Sequence, residues 1–375
     1  MKIKQIDNKS IDSSRYELRV LGQEWNERLL RLTSQSPVKA GRFQIHFDRS
    51  PDIFAIPRLT SYNYRCLGLF RNDELLGYVF TSYQKRYINQ RVTDVIYLGN
   101  MHVFQHGLGR EFLKLLSDRL SGIISKNRQI KFIYAYIMDR NIPAMKLSEH
   151  GFFSPRVVGQ ISMVNILLLF PKQLSRTYTV RRAQPADINA IVELLKEEHT
   201  NKFLAPEMNG DLFLQNLTQR PLFGIENYFL ALLGNEIVGV CSAWDMTALK
   251  KNRILKYGLR MELSRMLYNL AASIAGAARL PNTGEALRDI TIAEYAVMDR
   301  DPAIMEALLR YVYNTFRQDG YHSMIFGGGA NDPLLGATKP FIAREVRSNV
   351  VLGTLHKTHP EIKNTGLIYA DAIQI

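Results

Sequence analysis

One arrangement of residues occurs twice in this chain of 375 residues. An apolar run from Cys66 breaks at Asn72-Asp73 and resumes to Phe80, with Gly77 inside the second arm. A second run from Phe229 breaks at Gly234-Asn235 and resumes to Ser242, with Gly239 at the matching place. Each hairpin pattern is followed by a further apolar strand ending in Val, at Val103 and at Val297, and then by a helical period. Self-similarity on this scale implies two copies of one domain rather than one large fold. The length allows each copy its own core.

The two copies are read as residues 1–171 and 172–375, with Pro171 to Thr177 as the linker. In the first, Tyr16 to Val20 alternates as a strand, and Trp25, Leu29, Leu30 and Leu32 mark a helix. The hairpin at 66–82 and a strand at 94–103 follow. Phe112, Leu113, Leu116, Leu120 and Ile123 then share one face of a helix from Gly109 to about Ser125. Lys131 to Met138 is a strand, Pro143 to His150 a short helix ended by Gly151, and Phe152 to Phe170 supplies the final strands. The second copy restarts at Tyr178, with Pro185 and Asp187 opening a helix faced by Ile188, Ile191, Val192 and Leu195. Strand, helix, antiparallel strands and then a strand–helix–strand crossover predict an α/β fold with a mixed, mostly antiparallel sheet in each copy, flanked by helices.

The second copy carries an insertion at about 247–281, expected to be helical from Lys250 to Arg279. Leu259, Leu263, Met266, Leu267, Leu270 and Ile274 fall on one face, and six Lys or Arg stand against one Glu between Lys250 and Arg265. A membrane surface or acidic partner is one reading of such an element. A helix docked on its own domain or on a second copy is the other.

Composition excludes more than it selects. No apolar run reaches the roughly 18 residues of a membrane-spanning helix. The N-terminus lacks the apolar core of a signal peptide. Cys66 and Cys241 both lie in apolar strand patterns, as packing residues rather than a disulfide or metal pair, which suits a reducing cytoplasm. A net charge of +13 fits a phosphate-bearing ligand, a nucleic acid or an anionic surface. No basic block or RNA-binding aromatic signature supports the second of these.

The residues with chemical content lie after Val103. Phe104-Gln105-His106-Gly107-Leu108-Gly109-Arg110 joins a strand to a helix across two glycines. Such a junction aims backbone N–H groups and the positive end of a helix dipole at one point, and glycine lets a pyrophosphate approach the backbone. His106 and Arg110 add charge. The matching junction of the second copy, Met298-Asp299-Arg300-Asp301-Pro302, has no glycine. Asp301 is a natural N-cap and Pro302 a natural first helical residue, so the amides are occupied and two carboxylates repel phosphate. Gly327-Gly328-Gly329 follows a strand but lacks the Lys-Ser/Thr of a nucleotide loop; it is read as replacing a turn, with room to line a pocket. Glu294 is read either as an amine ligand or as an outward salt bridge.

Together with Asn141, Ala144, Leu147, Gly151 and Phe152 further on, this loop resembles the GCN5-related N-acetyltransferase (GNAT) superfamily, as two tandem domains over nearly the whole chain. The resemblance implies acetyl-CoA or another acyl-CoA as cofactor and an amine, small molecule or peptide, as acceptor. It implies pantetheine on the backbone of Met101, His102 and Val103. The phosphates would lie on the amides of Gln105, His106, Gly107, Leu108, Gly109 and Arg110, with Asn141 facing the cofactor. The loop departs from the family pattern in length or in having Phe104 where Gln or Arg is usual. Ser148 stands where the family often has the Tyr that protonates the leaving thiolate. Asp94, His102 and Ser148 are the catalytic candidates, with His106 a further base by ordinary basicity. The second copy is expected to be degenerate as a cofactor site. No metal is expected, and a homo-oligomer is one expected state. The rival expectations are a non-catalytic CoA-binding sensor and a transferase using aminoacyl-tRNA.

Overall fold

A computed structural model describes residues 15–35, 38–40, 43–126, 129–149, 154–354 and 367–375. In the first half, β1 (Glu17–Leu21) and α1 (Asn26–Ser34) lead to β2 (Val38–Ala40), β3 (Phe43–Asp48) and α2 (Ala55–Thr60). The long hairpin β4 (Asn63–Arg71) and β5 (Glu74–Ile88) turns at Asn72 and Asp73, both at positive φ, as a primed turn requires. Then come β6 (Arg91–Val103), α3 (Gly109–Lys126), β7 (Phe132–Met138), α4 (Ile142–Glu149) and β8 (Arg156–Leu167).

The second half repeats the plan. It holds β9 (Thr179–Arg182), α5 (Ile188–Thr200), α6 (Gly210–Gln219), β10 (Tyr228–Leu233) and β11 (Glu236–Asp245). The insertion is β12 (Lys251–Tyr257), α7 (Leu259–Ala275) and β13 (Ala286–Leu287). The crossover is β14 (Asp289–Val297), α8 (Pro302–Gln318) and β15 (Ser323–Gly329), followed by β16 (Ala343–Thr354).

The predicted mixed, mostly antiparallel sheet is present, but the two copies share it. Its order is β1-β4-β5-β6-β7-β16-β8-β15-β14-β11-β10-β9. The halves exchange their last strands: β16 lies beside β7, from Ser348↔Met138 to Thr354↔Phe132, while β8 lies beside β15. Among the described strand pairs, only β6–β7 and β14–β15 are parallel. Each follows from a crossover helix, α3 or α8, which returns the chain in the same direction. On α3, Phe112, Leu116 and Leu120 bury against Leu67, Val79 and Ile96, on the face that the sequence period marks. Leu308, Leu309 and Val312 on α8 do the same against Phe229, Cys241 and Ile292. Cys66 and Cys241 are buried free thiols.

Two expectations change. Lys250 to Arg279 is not one helix. Lys251–Tyr257 is a strand that pairs antiparallel with β3, in a second sheet of order β13-β12-β3-β2. Its alternation was masked by its charges, and its partner lies some 200 residues earlier in the chain. The helical part, α7, keeps the predicted apolar stripe but turns it outward: Leu259 is 94% and Ile274 81% exposed. Gly327 to Gly329 is strand rather than a turn. A Cβ on Gly329 would stand 3.0 Å from the carbonyl oxygen of Ile368, so these glycines admit the close pass of residues 367–371. Among the described residues no helix is long and apolar enough to cross a membrane, and no cluster of metal-ligating side chains occurs.

Candidate active site

The ladder between β6 and β7 holds only from Val95↔Phe132 to Tyr97↔Tyr134. Beyond it the two parallel strands part. β6 stays with β5, and β7 stays with β16. The facing edges, Leu98 to Val103 and Ala135 to Met138, wall a cavity of about 640 Å³. Strand edges that part inside a sheet leave N–H and C=O groups for an extended ligand to pair with.

A bulge sharpens one wall. Tyr78 pairs with His102 but Phe80 pairs with Gly99, so Val79 alone faces Asn100 and Met101, and Asn100 takes φ +50°. A bulge frees backbone groups and re-aims side chains. Here it builds a directed chain of hydrogen bonds. The Thr33 hydroxyl donates to the Leu29 carbonyl at 2.7 Å, so the Tyr78 hydroxyl donates to Thr33 Oγ1 at 2.9 Å. Asn100 Nδ2 donates to the Tyr78 oxygen at 3.2 Å, which leaves Asn100 Oδ1 to accept from His102 Nε2–H at 3.1 Å. His102 therefore keeps its lone pair on Nδ1. Its ring stacks on Tyr78, with centroids 5.2 Å apart. Burial, then the charges of Arg49 and His46, push its pKa down to about 4, so the imidazole is neutral at ordinary pH.

At the outer end, Gln105, His106, Gly107 and Gly109 line the cavity. Gly107 has φ +87° with open space around it, and Leu108 is buried, pinning the loop to the core. Gly109 has a different reason to lack a side chain: a Cβ there would meet Leu147 of α4 at 2.9 Å. Asn141 caps α4, its Oδ1 accepting from the Ala144 amide at 3.2 Å, and it lines the cavity with Pro143, Ala144 and Leu147. Leu98, Leu113, Leu116 and Ile133, together with Val351 and Gly353 of β16, add an apolar recess to the lining.

The sequence candidates thus divide. Met101, His102, Val103, Gln105, His106, Gly107, Gly109 and Asn141 meet around one cavity. Leu108 and Arg110 are not among the residues that line it. Leu108 is turned into the core, and Arg110 is exposed. Asp94 is also outside: it lies near the start of β6, about 20 Å of strand before Asn100, opposite Lys85. Ser148 belongs to α4, but its side chain, like Gly151 and Phe152, lies outside the described residues. Sequence reasoning missed Thr33, His46, Arg49, Tyr78 and Asn100. Only Gly99-Asn100, a glycine and a turn former inside a strand pattern, carried a signal, that of a bulge.

The matching pair in the second half also parts, after Thr291↔Ile325. That gap is bridged by side chains. The Tyr295 hydroxyl donates to the Gly327 carbonyl at 2.9 Å, and Lys202 Nζ donates to Tyr295 at 2.9 Å. Lys202 also pairs with Glu198 at 2.7 Å, and Arg300 joins Glu198 to Asp332, both at 2.6 Å. Asp301 caps α8, accepting from the Ala303 amide at 2.8 Å, with Pro302 at the first helical position. Glu294 is neither a free ligand nor an outward salt bridge. It is buried, paired with Arg220 at 2.7 Å and accepting from the Tyr228 hydroxyl.

No protein-family model matches the chain, and none of the curated proteins does. Solved structures do. A Saccharomyces cerevisiae N-myristoyltransferase with bound myristoyl-CoA superposes with a TM-score of 0.58 at 12% identity, over 93% of this chain and 85% of that one. A GCN5-related N-acetyltransferase from Sphaerobacter thermophilus gives 0.55 at 15% identity, over 91% and 96%. One from Anabaena variabilis gives 0.50 at 10%, over 91% and 73%. With parted parallel strands in both halves and these likenesses along nearly its whole length, the chain has the doubled fold of the GCN5-related N-acetyltransferases.

Proposed function

We propose that the protein is an acyl-CoA-dependent N-acyltransferase, with the cofactor in residues 1–171 and the acceptor side shaped in part by residues 172–375. The observation that carries this is the open gap between β6 and β7, leading from the glycine loop to the bulge. Pantetheine would pair with the free edges at Met101 to Val103. The diphosphate would lie on the amides after Gln105, beside Gly107, at the positive end of α3. The likeness to an enzyme crystallised with myristoyl-CoA supports an acyl-CoA in this gap, and the recess of Leu98, Leu113, Leu116 and Ile133 supports an apolar acyl group.

In the reaction, the neutral amine attacks the thioester carbonyl carbon, a C–N bond forms and the C–S bond breaks. The amine proton leaves to a base, and the CoA thiolate takes a proton to become the free thiol. Amides freed at the bulge support the oxyanion, and the gap holds the reactants in line. His102 Nδ1 is the proposed base. A weak base suffices here, because attack makes the nitrogen acidic before its proton moves.

Calorimetry with acetyl-, octanoyl- and myristoyl-CoA, followed by thiol release with a panel of amines, tests the reading. Binding and release support it. Binding without release would make the protein a CoA sensor, the reading that Ser148 favours, and absence of binding would remove both. The proposal also retains a homo-oligomer, supported by the open apolar face of α7, which light scattering measures.

A further inference from the structure

The end of the cavity at Gly99-Asn100 holds a cation with no counter-charge among the described residues. Arg49 follows β3 and lines the cavity beside Tyr97, Gly99 and Asn100. It also walls a smaller void with Ile53, Ile56 and Phe80. Its Nη1 is buried without a hydrogen-bond partner, and no ion pair reaches it among the described residues. A guanidinium cannot shed its proton in a protein, so this desolvation is not relieved by neutralisation. The surroundings do not relieve it. His46 and His102 line the same space and supply no negative charge, Lys250 is close enough to be influenced by Arg49, and among the described lining residues there is no Asp or Glu. The nearby carboxylates are taken, Asp48 by Arg253 at 2.7 Å and Asp371 by Arg86 at 2.8 Å.

The position decides which substrate this charge serves. Arg49 stands at Gly99-Asn100, and roughly 13 Å of strand separates Gly99 from Val103, where the phosphate loop begins. The phosphates of an acyl-CoA lying along β6 are therefore at the opposite end. The thioester carries no charge. We infer that Arg49 receives an anionic group of the acceptor, so that the substrate is an amine bearing a carboxylate or a phosphate. This rests on the N-acyltransferase reading. Filling the site has a second effect: Arg49 is one of the charges that keep His102 from taking a proton. An anion on Arg49 lowers that barrier, which makes the base effective once the correct acceptor has bound.

The test pairs acceptors that differ only in the anion. Thiol release from the best-bound acyl-CoA is measured with each amino acid against its carboxamide, and with glucosamine 6-phosphate against glucosamine. The anionic member of at least one pair is expected to be preferred by roughly 10- to 100-fold in kcat/KM, the worth of one charge-assisted hydrogen-bonded contact. Whether the carboxylate or the phosphate pair shows it identifies the source. In Arg49→Gln the preference should collapse while acyl-CoA affinity stays within about 2-fold, and Arg49→Lys should restore part of it. Neutral amines used equally well, a preference for polycations, or a preference that survives in Arg49→Gln would each overturn the inference. Should no acyl-CoA bind, the enzymatic reading fails, and the anion site is judged on its own. Calorimetric binding of N-acetylglycine but not N-acetylglycinamide, lost in Arg49→Gln, keeps it; equal binding or none sinks it.

Discussion

Two gaps of the same topology have opposite contents. Between β6 and β7 the strands part around a cavity lined by Arg49, whose Nη1 is buried without a partner, and by a neutral histidine. Between β14 and β15 they part around Tyr295, Lys202, Glu198, Asp332 and Arg300, which bridge the opening with their own charges. The junctions differ in the same sense: Gly107 at φ +87° has open space around it, whereas Asp301 caps its helix ahead of Pro302. A parted strand pair is therefore a frame rather than a site. What fills it decides whether it holds a ligand or contributes stability.

The comparison breaks most visibly at Lys202. Lys202→Ala leaves Glu198 and Asp332 short of a buried counter-charge and should cost about 3–5 kcal/mol in urea unfolding. Acetyl-CoA affinity in the folded protein should be unchanged; a parallel loss of affinity would mean that the filled gap takes part in binding. On the open side, Gly107→Glu places a Cβ and a carboxylate against the diphosphate. It should weaken acetyl-CoA binding roughly 100-fold, equivalent to about 3 kcal/mol; normal binding by calorimetry would put the phosphates elsewhere.

The next effect is one of pH. His199, at the end of α5, is buried, donates from Nδ1 to the Pro206 carbonyl at 3.0 Å and buries an unpartnered Nε2. Burial pushes its pKa down to about 4, against 6.5 unperturbed. Between those values the unfolded chain binds the proton and the folded one does not. Stability should thus fall as pH drops from 6.5 to about 4, by at most about 1.4 kcal/mol per pH unit from this group. Chemical denaturation across that range should show the slope, and His199→Gln should flatten it. The smallest effect is at the closed junction: Asp301→Ala removes a helix cap worth about 1 kcal/mol and should leave acetyl-CoA affinity alone. A change in affinity there would invert the assignment of the two halves.

Legibility in the sequence followed the range of the interaction. The hairpin at Asn72-Asp73, the buried faces of α3 and α8, the glycine loop, the cap at Asp301 and the doubled plan all rest on neighbours a few residues apart, and each has a local period or turn chemistry that can be read directly. The bulge at Asn100 was half legible, through Gly99. The exchange of β8 and β16 was not. A strand's alternation says that it has a buried face, not which edge it joins, and here the partners are drawn from opposite halves. For the same reason Lys251–Tyr257 read as helix until its partner β3 was known.

By itself the sequence determined that there would be two copies of one α/β unit, and that only the first would present an open glycine-lined helix start. The tertiary structure alone decided that the copies share one sheet, that Lys202 and Arg300 fill the second gap, and that Arg49 faces the first with no ion-pair partner among the described residues. Charge pairing and desolvation depend on distances between residues far apart in the chain. No local pattern encodes them.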